Sequence, residues 1–121
     1  MPVQKILIVD DSPSDRQYLL EKLSTHGYEC ITANSAVEGI AKAKAELPDL
    51  ILMDVIMPGT NGFEATRAIT RDERTRNIPV IMCTAKDAST DRLWGLRQGA
   101  KEYVTKPIDS SELIEKIAAI R

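Results

Sequence analysis

The fold is decided by residues 6–13, which read Ile6-Leu7-Ile8-Val9-Asp10-Asp11-Ser12-Pro13. Four apolar residues without a polar interruption predict a buried strand, and a serine followed by proline is typical of the start of a helix. Two carboxylates stand between the strand and the helix. The stretch therefore predicts a parallel α/β unit with acidic residues at the carboxyl end of its strand.

The same alternation of strand and helix recurs five times along the chain. Apolar runs predict strands near 4–9, 28–33, 49–54, 78–83 and 101–105, and helical patterns lie near 13–25, 35–46, 61–73, 88–98 and 109–120. Such alternation is typical of a parallel sheet that is covered by helices on both faces. The second strand alternates polar and apolar residues, which favours an edge position for it.

Length and charge limit the classes of function. The chain has 121 residues and a formal net charge of -2, so we expect one domain spanning residues 1–121, with no output domain. The charge balance predicts no basic surface for nucleic acid. No apolar run approaches the ~20 residues that span a bilayer, and the first residues lack the apolar segment of a signal peptide. We therefore expect a cytoplasmic protein without membrane insertion.

Polar residues follow the apolar runs at the positions where the strands should end. Asp54 follows the third run, Thr84 the fourth, and Lys106-Pro107 the fifth. Because the carboxyl ends of parallel strands meet at one edge of the sheet, these residues should lie beside Asp10 and Asp11. Alone, each would be read as a turn residue, a cap or a solvated lysine. Together, three carboxylates and a lysine predict a divalent cation and phosphoryl transfer to an aspartate.

These motifs, in this order, resemble the receiver domain of two-component response regulators from Lys5 to the last helix. The resemblance implies a flavodoxin-like (βα)5 fold, a doubly wound five-stranded parallel sheet of order 2-1-3-4-5. Residues 8–13, 61–67, 94–100 and 105–107 are further similar to stand-alone PilH-type regulators of type IV pilus twitching motility. Stand-alone chemotaxis regulators are the nearest alternative.

The resemblance assigns a metal site to the acidic residues. Asp54 would accept the phosphoryl group from a histidine kinase. Asp11 and Asp54 would bind Mg²⁺ directly, Asp10 would act through a water molecule, and Ile56 would contribute its backbone carbonyl. Magnesium suits such a site because it keeps several waters and accepts phosphate oxygens as ligands.

The resemblance also assigns residues to the phosphoryl group and to a switch. Lys106, placed by a cis bond to Pro107, the Thr84 hydroxyl and the Ala85 backbone N–H would contact the phosphoryl oxygens. Thr84 would then move, and Tyr103 would enter the space that it vacates. Ile56 and Lys86, each two residues beyond a site residue, would flank the hydrolytic water and tune the phosphoryl lifetime.

Spacing in the fourth helix predicts which of its faces is buried. Ser89, Leu93, Leu96 and Ala100 recur at helical intervals and predict an inward stripe, with Trp94 at its margin. Tryptophan, tyrosine and arginine are enriched at binding hot spots. We therefore expect Trp94, Arg97 and Tyr103 to form the surface for a protein effector, whose identity the sequence does not give, on a protein that is itself a monomer.

Three other functions remain to be considered. A phosphate sink or shuttle would drain a shared kinase without engaging an effector. An aspartate-nucleophile phosphatase would use the same chemistry, but such enzymes carry a second acid two residues after the nucleophile, where this chain has Ile56. A flavodoxin-like cofactor carrier would need a phosphate-binding loop after the first strand, and here that loop is anionic.

Overall fold

The structure is a computed structural model that describes residues 2–120. Five strands alternate with five helices. The strands are β1 Lys5–Val9, β2 Glu29–Ala33, β3 Leu50–Met53, β4 Val80–Thr84 and β5 Glu102–Thr105; the helices are α1 Pro13–Thr25, α2 Ala36–Glu46, α3 Gly62–Arg71, α4 Ser89–Arg97 and α5 Ser110–Ala118. All neighbouring strands are parallel, in the order β2-β1-β3-β4-β5. The predicted fold class and strand order are confirmed.

Each face of the sheet packs against its own set of helices. Side chains of alternating direction along β1 and β3 divide between two apolar clusters, as a pleated strand requires. One cluster holds Leu7 and Val9 with residues of α2 and α3, and the other holds Ile6 and Ile8 with residues of α1 and α5. β2 is only partly buried, as expected for an edge strand.

Polar side chains fix several of the helix starts. Ser12 accepts a hydrogen bond from the Asp15 backbone N–H at 3.3 Å, with Pro13 as the first helical residue. Ser35 and Asp109 cap α2 and α5 in the same way. Each of these bonds satisfies a backbone N–H of the first turn and so stabilises the start of its helix.

The buried face of α4 differs from the predicted stripe. Leu93 and Leu96 are 51% and 47% exposed, whereas Gly95 and Gln98 face the protein. The helix approaches β5 through Gly95, where a Cβ would lie only 3.1 Å from the Tyr103 ring. A glycine at the contact brings the helix closer than leucine would permit, so the helix is rotated and its leucines face outward.

Within residues 2–120, none of the helices is both long enough and apolar enough to span a lipid bilayer.

Candidate functional site

The carboxyl ends of β1 and β3 bring the three predicted carboxylates together. Val9 and Met53, the last residues of these strands, are register partners, and the Asp54 N–H donates to the Val9 carbonyl at 3.0 Å. Asp10 and Asp54 therefore leave the sheet side by side. One carboxylate oxygen from each of Asp10, Asp11 and Asp54 lies within 4.8 Å of the others.

This carboxylate cluster could hold a metal ion. Its donors are oxygens alone, the ligand type that hard divalent cations prefer. Asp10 and Asp54 are buried, whereas Asp11 is exposed at the mouth of the site. A bound ion would therefore be held on its buried side by Asp10 and Asp54, and water or an anionic group could reach it on the exposed side beside Asp11.

Lys106 lies among the carboxylates, as predicted. Its Nζ donates to Asp10 Oδ2 at 2.8 Å and to Asp54 Oδ2 at 3.2 Å. Its backbone N–H donates to the Thr84 carbonyl at 2.8 Å, which ties the residue to the end of β4. The bond between Lys106 and Pro107 is cis, as the resemblance implied.

Asp15 also binds Lys106, and sequence reasoning missed it. Its Oδ2 lies 2.7 Å from Lys106 Nζ, the shortest of the three contacts. Asp15 belongs to the first turn of α1, four residues after Asp11, and an acidic residue in that turn was the available signal. The next residue, Arg16, donates to the Asp10 carbonyl at 2.7 Å. The first turn of α1 is thus part of the site.

An excess of negative charge dominates the electrostatics of the site. Burial raises the pKa of Asp10, and the charge of Asp54 adds to this, while hydrogen bonds from Lys106 and Ser12 offset only part of the shift. Burial alone would lower the pKa of Lys106, but hydrogen bonds to Asp10 and Asp15 and the charge of Asp54 raise it above its usual range. Lys106 is therefore a permanent cation.

Thr84 and its neighbours lie at the end of β4. Thr84 is fully buried, and its Oγ1 accepts a hydrogen bond from the Lys86 N–H at 3.3 Å. Because a hydroxyl can accept and donate at once, this bond leaves the hydroxyl proton available to a ligand. Ala85 and Lys86 are exposed beside it, and Lys86 Nζ lies 4.0 Å from Asp91. The phosphoryl-binding roles of Thr84 and Ala85 remain predictions.

The loop after β3 also contacts Asp54, through backbone groups. The Ile56 N–H donates to Asp54 Oδ1 at 3.3 Å, and the Ile56 side chain is 54% exposed next to it. Gly62, at the start of α3, donates its N–H to Val55 at 2.9 Å, and a Cβ on Gly62 would overlap the Asp54 carbonyl. Gly62 therefore makes a close backbone contact with Asp54, which leaves no room for a side chain.

Tyr103 lies inside the protein rather than on the predicted surface. Its ring is 4% exposed, its hydroxyl donates to the Lys86 carbonyl at 2.7 Å, and burial raises its pKa to about 12. The Arg92 guanidinium, which sequence reasoning did not single out, lies 5.4 Å from the ring centroid. The prediction that Tyr103 shares an exposed surface with Trp94 and Arg97 is wrong in this structure, because Gly95 leaves room for the ring beneath α4.

Trp94 and Arg97 lie on the exposed side of α4. Trp94 is 49% exposed, and the two leucines on either side of it are similarly exposed. The predicted partner surface is therefore more apolar than expected, with Leu93 and Leu96 in place of Tyr103.

Comparison with known proteins identifies the family. Residues 6–118 match the response regulator receiver domain. The chain belongs to this family. Among curated receivers and regulators, it is 49% identical to protein PilH of Pseudomonas aeruginosa over 116 residues, which cover 96% of each chain. Further response regulators at 34–42% identity are longer proteins, of which the chain spans 26–51%.

Solved receiver structures share the fold over nearly the whole chain. The chemotaxis protein CheY4 of Vibrio cholerae superposes with a TM-score of 0.91 at 32% identity, over 98% of this chain and 99% of that one. The receiver domain of the sensor histidine kinase PA1611 from Pseudomonas aeruginosa superposes with a TM-score of 0.89 at 30% identity, over 98% and 97%. That receiver has a magnesium ion coordinated in its active-site cleft.

Proposed function

We propose that this receiver is a stand-alone response regulator that accepts a phosphoryl group from a histidine kinase on Asp54, with Mg²⁺ at Asp10, Asp11 and Asp54. The contact between Lys106 and the buried Asp54, beside two further carboxylates, carries the proposal. The magnesium ion in the similar PA1611 receiver supports the choice of metal. The Ile56 backbone carbonyl would add a further ligand.

The chemistry is the transfer of a phosphoryl group between two nucleophiles. An Asp54 carboxylate oxygen attacks the phosphorus of a phosphohistidine, the P–O bond forms, and the P–N bond breaks with its electron pair left on the imidazole nitrogen. Lys106 stays protonated and neutralises charge on the phosphoryl oxygens, to which Thr84 and the Ala85 N–H donate. When bound, Mg²⁺ would supply further positive charge to the same oxygens.

The output would be a change in a protein-binding surface on α4. A phosphoryl group near Thr84 acts on the β4–α4 segment, whose Lys86 carbonyl holds the Tyr103 hydroxyl. Tyr103 in turn packs under Gly95 of α4. One charge event at Asp54 would thus bias the position of α4, which presents Leu93, Trp94, Leu96 and Arg97 to an effector.

We further propose the biological setting and the state of the protein. Similarity to PilH supports a role in type IV pilus twitching motility or in chemotaxis-like signalling. The phosphoryl donor would be the phosphohistidine of a histidine kinase in such a pathway. The regulator would act in the cytoplasm as a monomer, with protein partners rather than nucleic acid.

Phosphotransfer from candidate kinases of the same genome tests this proposal. Each autophosphorylated kinase is mixed with the regulator and Mg²⁺, and the label on each protein is followed with time. Transfer to the wild type and none to Asp54→Asn is expected. A partner captured only by the phosphorylated form supports signal output, whereas rapid transfer and loss of label with no such partner would favour a phosphate sink.

A further inference from the structure

All three N–H donors of the Lys106 ammonium are engaged by carboxylates. A lysine ammonium has three donors and no acceptor. Asp15, Asp10 and Asp54 accept at 2.7, 2.8 and 3.2 Å. The longest contact is the one to the proposed phosphoacceptor. A phosphoryl oxygen can therefore gain a Lys106 donor only by displacing one of these acceptors.

The three acceptor carboxylates differ in the free-energy cost of losing their hydrogen bond from Lys106. Asp10 is 1% exposed, so a carboxylate there without its cation would be a buried, poorly compensated charge. Asp54 is the group to which Lys106 must stay close. The Asp15 side chain is 44% exposed, so water can replace the lysine as its partner. Asp15 is therefore the acceptor that releases Lys106 at the lowest cost.

We propose that Asp15 is a positioning residue that restrains Lys106 in the unphosphorylated state and slows phosphoryl transfer to Asp54. This inference rests on the proposed function of Asp54. In the resting protein, Asp15 holds one of the three Lys106 donors at 2.7 Å, while Asp54 accepts at the longer distance of 3.2 Å. As the phosphoryl group arrives, Lys106 shifts its third hydrogen bond from Asp15 to a phosphoryl oxygen, and Asp15 becomes hydrated.

The step can be isolated with acetyl phosphate as donor and Mg²⁺ present. An Asp54 oxygen attacks phosphorus, the bond between phosphorus and the acetyl oxygen breaks, and acetate leaves with the electron pair. No proton is transferred, so Lys106 contributes position and charge alone. Loss of the competing Asp15 carboxylate should therefore change the rate of the chemical step, measured at saturating donor, rather than the donor affinity alone.

The central variant is Asp15→Asn, with two controls. Asp15→Glu keeps the charge, and Glu21→Gln removes a charge from the same helix at a site that hydrogen-bonds Gln17 instead of Lys106. Phosphoprotein formation is followed by phosphate-affinity gel electrophoresis. An exposed ion pair of ordinary strength corresponds to about two- to fivefold in rate, so we expect that acceleration for Asp15→Asn at saturating donor. Asp15→Glu and Glu21→Gln should react at close to the wild-type rate.

A thermal unfolding measurement in EDTA tests the contact without phosphorylation. The combined effect of Asp15→Asn and Lys106→Met on the melting temperature should differ from the sum of the single effects, because each variant removes the same hydrogen bond. Additive shifts would show that the pair does not interact in solution.

The outcomes separate this inference from the proposed function. If wild-type protein accepts no phosphoryl group, the assignment of Asp54 fails. If the wild type is phosphorylated and Asp15→Asn reacts at an equal or lower rate, Asp54 stands and the role of Asp15 is overturned. Two further results would also overturn the role of Asp15. One is an acceleration that appears only as tighter donor binding, and the other is an equal acceleration in Glu21→Gln, which would indicate a general effect of charge.

Discussion

Gly62 is the residue on which the position of Asp54 depends most directly. Its Cα lies against the backbone that follows β3, and an added Cβ would overlap the Asp54 carbonyl. Backbone atoms cannot move aside as the end of a flexible side chain can. The close contact therefore fixes both the start of α3 and the direction in which the Asp54 side chain leaves the strand.

We predict that Gly62→Ala lowers the free energy of unfolding by roughly 2 kcal/mol, within the range for steric overpacking, and also lowers Asp54 phosphorylation. Chemical denaturation and acetyl phosphate labelling measure the two effects. Gly95→Ala is the comparison, because its new Cβ would meet the Tyr103 ring at 3.1 Å rather than backbone. A Gly62→Ala protein as stable and as reactive as the wild type would refute this reading of the contact.

The Ile56 side chain lies exposed beside the phosphoacceptor and cannot hydrogen-bond a water molecule there. We predict that Ile56→Asn speeds dephosphorylation in Mg²⁺, since an amide could orient the attacking water. A hydrogen bond worth ~1 kcal/mol corresponds to about fivefold in rate. Decay of the phosphoprotein after removal of the donor is the measurement, and Ile56→Leu is the matched control. Equal decay in Ile56→Asn and Ile56→Leu would refute the predicted position of the water.

The sequence was sufficient to find the residues that end strands, and insufficient for the contacts between helices and the site. Asp10, Asp11, Asp54 and Lys106 could be predicted to meet because the ends of parallel strands share one edge whatever the details of packing. Asp15 reaches Lys106 from a helix, so its contact depends on the direction in which α1 leaves the edge. Apolar periodicity does not specify that direction.

At the scale of single elements, α4 shows where periodicity fails. Its predicted stripe has the correct helical spacing, but the helix is rotated because the small Gly95 meets β5. Gln98 is buried as well, and its carbonyl accepts a hydrogen bond from the Thr70 hydroxyl of α3 at 2.8 Å. Contacts made by glycine and by backbone carbonyls carry no hydrophobic signal in the sequence. The leucines that produced the predicted stripe are on the solvent side.

The exposed apolar side chains of α4 are the basis for a prediction about partners. We predict that Trp94→Ala weakens binding of the effector or kinase by more than ~1 kcal/mol, while phosphorylation by acetyl phosphate is retained. The reason is that the Trp94 side chain is half exposed and does not belong to the buried core. Calorimetric titration measures the binding. Val37→Ala, an exposed apolar residue of α2, is the control. Loss of thermal stability without loss of binding would assign Trp94 to packing.

At the scale of the whole molecule, the sheet is assembled around a site whose charges oppose folding. The strands are held by two apolar clusters, one on each face, and these support an edge where several carboxylates share one lysine. The cost to stability is electrostatic: burial disfavours the charged form of Asp10 and so raises its pKa. A cation at the edge would relieve it.

We predict that Asp10→Asn stabilises the protein at neutral pH in EDTA. A carboxyl whose pKa is raised by folding costs stability above that pKa, so the cost disappears as the pH falls through it. The advantage of Asp10→Asn should therefore shrink on acidification. Mg²⁺ at ten times its dissociation constant should stabilise the wild type by about 1.4 kcal/mol and the variant by less. Denaturation curves at several pH values, with and without Mg²⁺, provide the test, and a variant less stable than the wild type at neutral pH in EDTA would contradict it.

The central claim is that Asp54 accepts a phosphoryl group in a magnesium-dependent reaction. Intact-protein mass spectrometry after incubation with acetyl phosphate tests it most directly, in parallel for the wild type, Asp54→Asn and the control Glu21→Gln. We predict a single phosphoryl adduct on the wild type and on Glu21→Gln with Mg²⁺, no adduct on either in EDTA, and none on Asp54→Asn. An adduct of equal yield on Asp54→Asn, or one that forms equally well in EDTA, would contradict the account.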